Sequence, residues 1–165
     1  MRVMTRALLI GRFQPFHRGH KYLLDTALKK FDEVVIAICS AQESYDFDNP
    51  LTSSERMEML WNYIKKRKLT ERVIIVPVED IHQNRLWARH VCTIVPEIDA
   101  VYTNNKLVSL LFKYMDVKVI ETGIKGNYSG TKIRTLIRDG KSWKEFVPDD
   151  VYEFISGIDM VRRLI

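Results

Sequence analysis

Apolar positions along the chain fall into two alternating kinds of pattern. Short continuous runs rich in Val and Ile stand at residues 7–10 (ALLI), 34–39 (VVIAIC), 73–78 (VIIVPV), 100–103 (AVYT) and 117–121 (VKVIE). Runs of this length with little polar alternation suit strands covered on both faces, as in a parallel sheet. Between them apolar residues recur at helical spacing. Leu23, Leu24, Ala27, Leu28 and Phe31 make one face of a first helix. Thr52 followed by Glu55 reads as a capping box for a second, with Met57, Leu60, Trp61 and Ile64 as its apolar face. A third helix is expected from about Asn84 to Val95, before Pro96, and a fourth from Leu107 to Met115.

After the fifth run the pattern changes. A loop TGIKGNYSG leads into a helix from about Thr131 to Asp139, closed by Gly140, and the C-terminal segment from about residue 141 reads as mostly helical. Strand–helix alternation of this kind predicts an α/β fold: a single Rossmann-like, doubly wound parallel sheet of about five strands, helices on both faces and a helical C-terminus. No internal repeat, low-complexity tract or linker marks a boundary, so residues 1–165 are expected to form one domain. A chain of this length buries about 70% of its unfolded surface.

Composition narrows the picture only a little. Hydrophobic content of 46% and charged content of 28% are ordinary for a globular chain. No apolar run approaches membrane-spanning length, and the N-terminus lacks a signal-peptide cleavage pattern, so no membrane partner is expected. Cys39 and Cys92 lie in apolar contexts and read as buried thiols in a reducing cytoplasm. The net charge of +5 suits a polyanionic ligand and also many proteins that bind none. A nucleic-acid partner is not expected, because no dense Lys/Arg stripe with interleaved aromatics is present.

Open parallel sheets bind ligands beyond the carboxyl ends of their strands, where the strand order reverses. The first strand ends at Gly11, which places the loop from Arg12 to Gly19 at such a position. Neither G-x-G-x-x-G nor G-x-x-x-x-G-K-[ST] occurs in the chain. His17 and His20 stand in the loop instead. As metal ligands they would need a third partner, and the nearest acids, Asp25 and Glu33, lie outside it. As plain residues they would cap or pack. Arg12 on the same loop and a helix beginning near Gly19 favour a third reading, an anion site, with phosphate as its best occupant. A second cluster agrees. Ser129 and Thr131 stand at another helix start with Arg134 one turn in, although Lys132, Arg134 and Arg138 would equally make a solvated face.

The stretches GRFQPFHRGH and SGTKIR resemble the nucleotidyltransferase superfamily, with its H-x-G-H and S-x-T-x-x-R motifs. Within it the chain is similar to the archaeal type of nicotinamide-nucleotide adenylyltransferase. SAQES (40–44), NPLTSSER (49–56) and EDIHQNRLWARH (79–90) match in order and spacing, so the resemblance covers residues 5 to 150. It implies transfer of AMP from ATP to nicotinamide mononucleotide (NMN), giving NAD and pyrophosphate by direct attack of the mononucleotide phosphate, with no covalent enzyme intermediate. His17, His20 and Arg134 would be the catalytic residues. Gly11, Arg12, Phe13, Ser129 and Thr131 would join them in binding ATP and its phosphates. Ser40, Gln42, Ile81, Asn84 and Trp87 would receive the mononucleotide. Trp87 suits a stacking plate for a pyridine ring, and equally a core aromatic; Asn84 offers a carboxamide both donor and acceptor. Mg²⁺ is implied, held mainly through ATP phosphates rather than by protein ligands. The resemblance also implies a homo-oligomer, often a hexamer in the family. A sibling transferase with phosphopantetheine or a flavin mononucleotide as acceptor, or a nucleotide-binding module without turnover, are the alternatives.

Two places depart from the family pattern. Some relatives carry a basic residue just before the Asn-Pro of the second loop, where this chain has Asp48, with Asp46 close by. After the fourth strand it reads TNNKL, so Asn104 and Asn105 precede a lysine rather than a proline. Arg56 either faces the site or pairs with an acid; His90 carries no assigned role.

Overall fold

A computed structural model describes residues 4–123 and 126–164; Ile124 and Lys125, in the loop after the fifth strand, lie outside that range. Five strands form one all-parallel sheet: β1 (Arg6–Gly11), β2 (Glu33–Ile38), β3 (Val73–Pro77), β4 (Ala100–Tyr102) and β5 (Lys118–Ile120). Their order is β3-β2-β1-β4-β5. The chain therefore steps outward from β1 in one direction, then crosses to its other side for β4 and β5. The reversal falls between β1 and β4, and the ends of these two strands open the crevice where a ligand is expected.

The strands alternate between two apolar clusters, as the pleat requires. Ala7 and Leu9 of β1 and Val34, Ile36 and Ile38 of β2 face one cluster; Leu8, Val35 and Ala37 face the other. This two-sided burial is why the strand sequences read as unbroken apolar runs. The first face is covered by α1 (Arg18–Leu28), α2 (Ser53–Lys66), α5 (Gly130–Arg138), α6 (Asp149–Ser156) and α7 (Met160–Arg163). The second is covered by α3 (Asn84–Ile94) and α4 (Lys106–Lys113). Pro77 ends β3 on the sheet edge, where a missing N–H does least harm.

Helix termini follow the sequence signals closely. Thr52 and Glu55 form a reciprocal capping box on α2. Ser129 caps α5 through the Lys132 amide, and Gly140, at φ 65°, closes that helix in the left-handed region. Two expectations are corrected. The buried face of α2 is Arg56, Met59, Leu60, Tyr63 and Ile64, whereas Met57 and Trp61 are 37% and 43% exposed. Cys39 is buried as expected, but Cys92 is only half-buried; both are free thiols. Among the described residues no helix is long and apolar enough to cross a membrane.

Candidate active site

The loop after β1 is folded tightly by its own side chains. Phe13 sits at φ 53°, which turns its ring back over the strand end. A Cβ on Gly11 would stand 3.1 Å from that ring, so glycine leaves it room. The Gln14–Pro15 peptide is cis. Gln14 is buried and clamps the loop to the one preceding α2, donating from Nε2 to the Leu51 carbonyl and accepting from the Leu51 amide, both at 2.9 Å. Phe13, packed beneath the His20 ring at 4.7 Å between centroids, is a supporting layer rather than part of the cavity wall.

His17 is the N-cap of α1, and its ring and that of His20 stack 3.7 Å apart. Each Nδ1 accepts a backbone amide: that of His20 for His17, and that of His17 for His20, at 3.4 and 3.3 Å. An imidazole that accepts at Nδ1 carries its proton on Nε2. The two rings therefore present a pair of Nε2–H donors. Both are neutral near pH 7. Burial pushes the His17 pKa down to about 4, and burial together with the charge of its neighbour holds His20 well below the usual histidine range. Gly19, between them, lies against the His17 ring, where a Cβ would come within 3.0 Å. The spacing H-x-G-H is thus a steric requirement of the stacked pair.

Next to these rings opens a cavity of about 480 Å³. Its walls include Gly11, Arg12, His17, His20, Ser129 and Gly130, with Asn104 and Tyr128. The α1 and α5 N-termini meet there. Tyr128 lies nearly parallel to the His17 ring at 6.5 Å. Asn105 caps α4 through the Leu107 and Val108 amides, and Asn104 accepts from the Thr122 amide at 3.1 Å. Thr131 and Arg134 do not line this cavity. Arg134 is buried directly below its floor, with Nη1 2.8 Å from where a Gly130 Cβ would be. It donates to the Gln14 carbonyl at 2.9 Å, to Thr131 Oγ1 at 3.2 Å and to Asp48 at 3.0 Å, while its Nε has no partner. Burial and the positive charge of Arg12 both depress the Arg134 pKa, with Asp48 opposing. Cations held close enough to repel one another favour an anion between them.

A second cavity, of about 420 Å³, adjoins the first. Ser40, Gln42, Ile81, Asn84 and Trp87 all line it, and Ser40, Asp80, Trp87, Asn105 and Val108 form the wall common to both. The organising residue is one the sequence did not single out. Asp80 accepts from Ser40 Oγ at 2.6 Å and from the Trp87 indole N–H at 2.8 Å; its backbone pairs with the Gln42 amide group in both directions at 3.1 Å. Trp87 is part of the cavity walls and of the packing behind them. It lines both cavities and also packs edge-on against Phe112 at 6.1 Å. His90 bonds the Glu79 carbonyl at 2.7 Å.

Arg56 does neither of the things expected. It is fully buried and donates to five carbonyls, those of Thr52, Arg12, Cys39, Ser40 and Glu43. Its guanidinium thereby ties the loops after β1 and β2 together, which holds the first cavity and the second in fixed relation. Burial lowers its pKa to about 10, which leaves it charged at neutral pH. Among the described residues no three His, Cys, Asp or Glu side chains converge as a metal cage.

Residues 8–136 match the cytidylyltransferase-like family. The chain is 44% identical to the nicotinamide-nucleotide adenylyltransferase of Archaeoglobus fulgidus, over 96% of this chain and 95% of that one. Against the Thermococcus kodakarensis enzyme of the same name it is 42% identical over 98% and 88%. The chain belongs to the cytidylyltransferase-like family and, within it, to the nicotinamide-nucleotide adenylyltransferases. The resemblance drawn from the five sequence stretches thus holds along almost the whole chain. The fold agrees as well. A bifunctional NMN adenylyltransferase/ADP ribose pyrophosphatase from Francisella tularensis superposes with a TM-score of 0.80 at 21% identity. The likeness takes in 97% of this chain and 52% of that longer one. The same protein has been solved complexed with AMP and a manganese ion, and there the TM-score is 0.77 at 21% identity.

Proposed function

We propose that this adenylyltransferase joins the AMP moiety of ATP to NMN, forming NAD and releasing pyrophosphate. The observation that carries this reading is the pair of adjoining cavities. One is walled by Arg12, two imidazole donors and two helix N-termini; the other gathers Ser40, Gln42, Ile81, Asn84 and Trp87 around Asp80. A triphosphate fits the first by charge and donor count. A flat heteroaromatic ring with a carboxamide fits the second. Their common wall brings donor and acceptor within reach of each other.

In the proposed reaction an oxygen of the mononucleotide phosphate attacks the α-phosphorus in line. The new bond forms on one side while the bond to the bridging oxygen breaks on the other, and pyrophosphate departs with the electron pair. The attacking oxygen is already ionised, so no protein base is needed. The chain supplies position and charge stabilisation. His17 and His20 donate from Nε2 to oxygens on which charge grows. Ser129 and Thr131 stand at the α5 N-terminus, and Arg134 beneath it reinforces its positive end. For Arg134 to grip a phosphate directly, Asp48 must swing aside; 63% of the Asp48 side chain is exposed, which leaves it free to do so. A divalent cation, Mg²⁺ in this proposal, would be carried in on the ATP oxygens, because among the described residues no three His, Cys, Asp or Glu side chains gather there to cage it. When bound it neutralises phosphate charge.

The test is direct. Protein incubated with ATP, Mg²⁺ and NMN should release pyrophosphate and yield a product with the mass of NAD, and omission of the mononucleotide should abolish both. Pyrophosphate release independent of the acceptor would overturn the reading.

A further inference from the structure

The second cavity has a charge that its likeness to a ring-binding pocket does not require. Its ionisable lining residues, among those described, are Asp80, Glu43 and His82; neither lysine nor arginine contributes. Asp80 is half-buried, and its two carboxylate oxygens each accept one bond, from Ser40 and from Trp87. A carboxylate offers about four lone-pair directions, so acceptor capacity remains on the cavity side. Arg56 feels the Asp80 charge from behind, but it is fully buried, committed to five carbonyls and absent from the cavity wall. A ligand carboxylate entering here would meet two acids and no guanidinium or ammonium group.

This matters because the two pyridine mononucleotides differ in charge at that end. Nicotinamide on ribose is a pyridinium, a cation with a neutral carboxamide. Nicotinate on ribose is a pyridinium whose carboxylate cancels its charge. The cationic ring is attracted to the carboxylate pair and to the face of Trp87. The carboxylate of nicotinate would be repelled by Asp80, and its removal from water would go uncompensated.

We propose that Asp80, assisted by Glu43, is the specificity determinant of the acceptor cavity, admitting the amide mononucleotide and rejecting nicotinate mononucleotide by charge. The inference rests on assigning the second cavity to the mononucleotide. Asp80 thus has two tasks: it positions Trp87 and Ser40, and its remaining charge selects the ligand.

The experiment compares kcat/KM for NMN and for nicotinate mononucleotide in the wild type, Asp80→Asn and Glu43→Gln. The wild type should favour NMN by on the order of 100-fold, the effect of a like-charge contact at a recognition site. Asp80→Asn should narrow that ratio about tenfold, whatever it does to the absolute rates. Glu43→Gln should narrow it by about two- to threefold, because Glu43 is exposed and screened. Added salt should narrow the wild-type ratio as well, a readout that needs no variant to fold. A wild type that uses both mononucleotides equally would overturn this inference alone. So would an Asp80→Asn variant that slows both substrates with the ratio unchanged, since it would leave Asp80 a positioning residue only. Turnover of neither mononucleotide would overturn the functional reading and this one together.

Discussion

The two cavities share a wall that includes Asp80, and they differ in the rest of their charged lining. The first cavity has Arg12, the neutral imidazoles and two helix N-termini in its walls together with Asp80, and Arg134, bonded to Asp48, lies beneath its floor. At the acceptor end, Asp80 and Glu43 stand without a lining cation among the described residues. Under the proposed function, that difference would order two phosphate-bearing substrates within one crevice. Under the proposed assignment a triphosphate finds Arg12 and the α1 and α5 N-termini only in the first cavity, and a cationic pyridinium finds Glu43 beside Asp80 only in the second. Arg56, bonded to the carbonyls of both loops, keeps the halves in register.

The comparison is broken most severely at the histidines. His17→Ala or His20→Ala should lower kcat roughly 10²–10³-fold, the usual cost of removing one preorganised donor from developing charge. Turnover near normal in both variants would remove the phosphate end as the reaction centre. The protonation state gives a second readout. An unfolded histidine takes up a proton below about pH 6.5, whereas folded His17 does not until about pH 4. Its contribution to stability is therefore complete above pH 6.5 and drains away as pH falls towards 4, at up to about 1.4 kcal/mol per pH unit. Urea unfolding at pH 7 and pH 5 should show this loss, and His17→Gln should reduce it. Activity that needed imidazolium would instead decline as pH rises from 6 to 8, and no such decline is expected.

At the acceptor end the corresponding change is Trp87→Ala. Loss of a stacking plate worth about 0.5–1.5 kcal/mol should raise the KM for NMN up to about tenfold and leave the KM for ATP unmoved. Because Trp87 also packs on Phe112, the same variant should melt earlier. Trp87→Phe separates the two effects: it keeps a ring on Phe112 and in the cavity, and gives up only the bond to Asp80. It should restore most of the melting temperature and most of the mononucleotide affinity. Equal KM values for NMN in all three proteins would deny Trp87 any part in the acceptor site.

The strands and the histidine loop after β1 were legible in the sequence because their signals are local. Two-sided burial leaves unbroken apolar runs, and H-x-G-H carries its own steric reason within four residues. The face of α2 was misread because its true stripe begins with a charge. Arg56 occupies a buried position in line with Met59, Leu60, Tyr63 and Ile64, and leaving it out of the stripe rotates the apparent apolar face onto Met57 and Trp61. Asp80 was hidden for another reason. Its partners Ser40 and Gln42 lie 40 and 38 residues away, across the β2–β3 connection, and nothing in EDIHQNRLW distinguishes its aspartate from the glutamate before it. The tie between Asp48 and Arg134 spans 86 residues and was equally invisible.

That tie supplies the smallest and most pointed test. Asp48 stands where some relatives were expected to carry a cation, and its carboxylate sits on the guanidinium that a phosphate would claim under the proposed function. Two outcomes can be distinguished. If Asp48 occupies Arg134 in place of the nucleotide, ATP must displace it, and the cost is that of one ion pair whose acid is 63% exposed. Such pairs are worth about 0.2–1 kcal/mol, so Asp48→Asn should lower the KM for ATP by about threefold, with the KM for NMN unchanged. The gain should shrink in high salt, where the competing pair is screened. If Asp48 instead holds Arg134 in the position that serves ATP, the same substitution frees a buried guanidinium to rotate, and the KM for ATP should rise. The sign of that one change decides whether the acid opposes the phosphate end or completes it. The exposure of Asp48 and the unpartnered Arg134 Nε below the cavity floor favour competition.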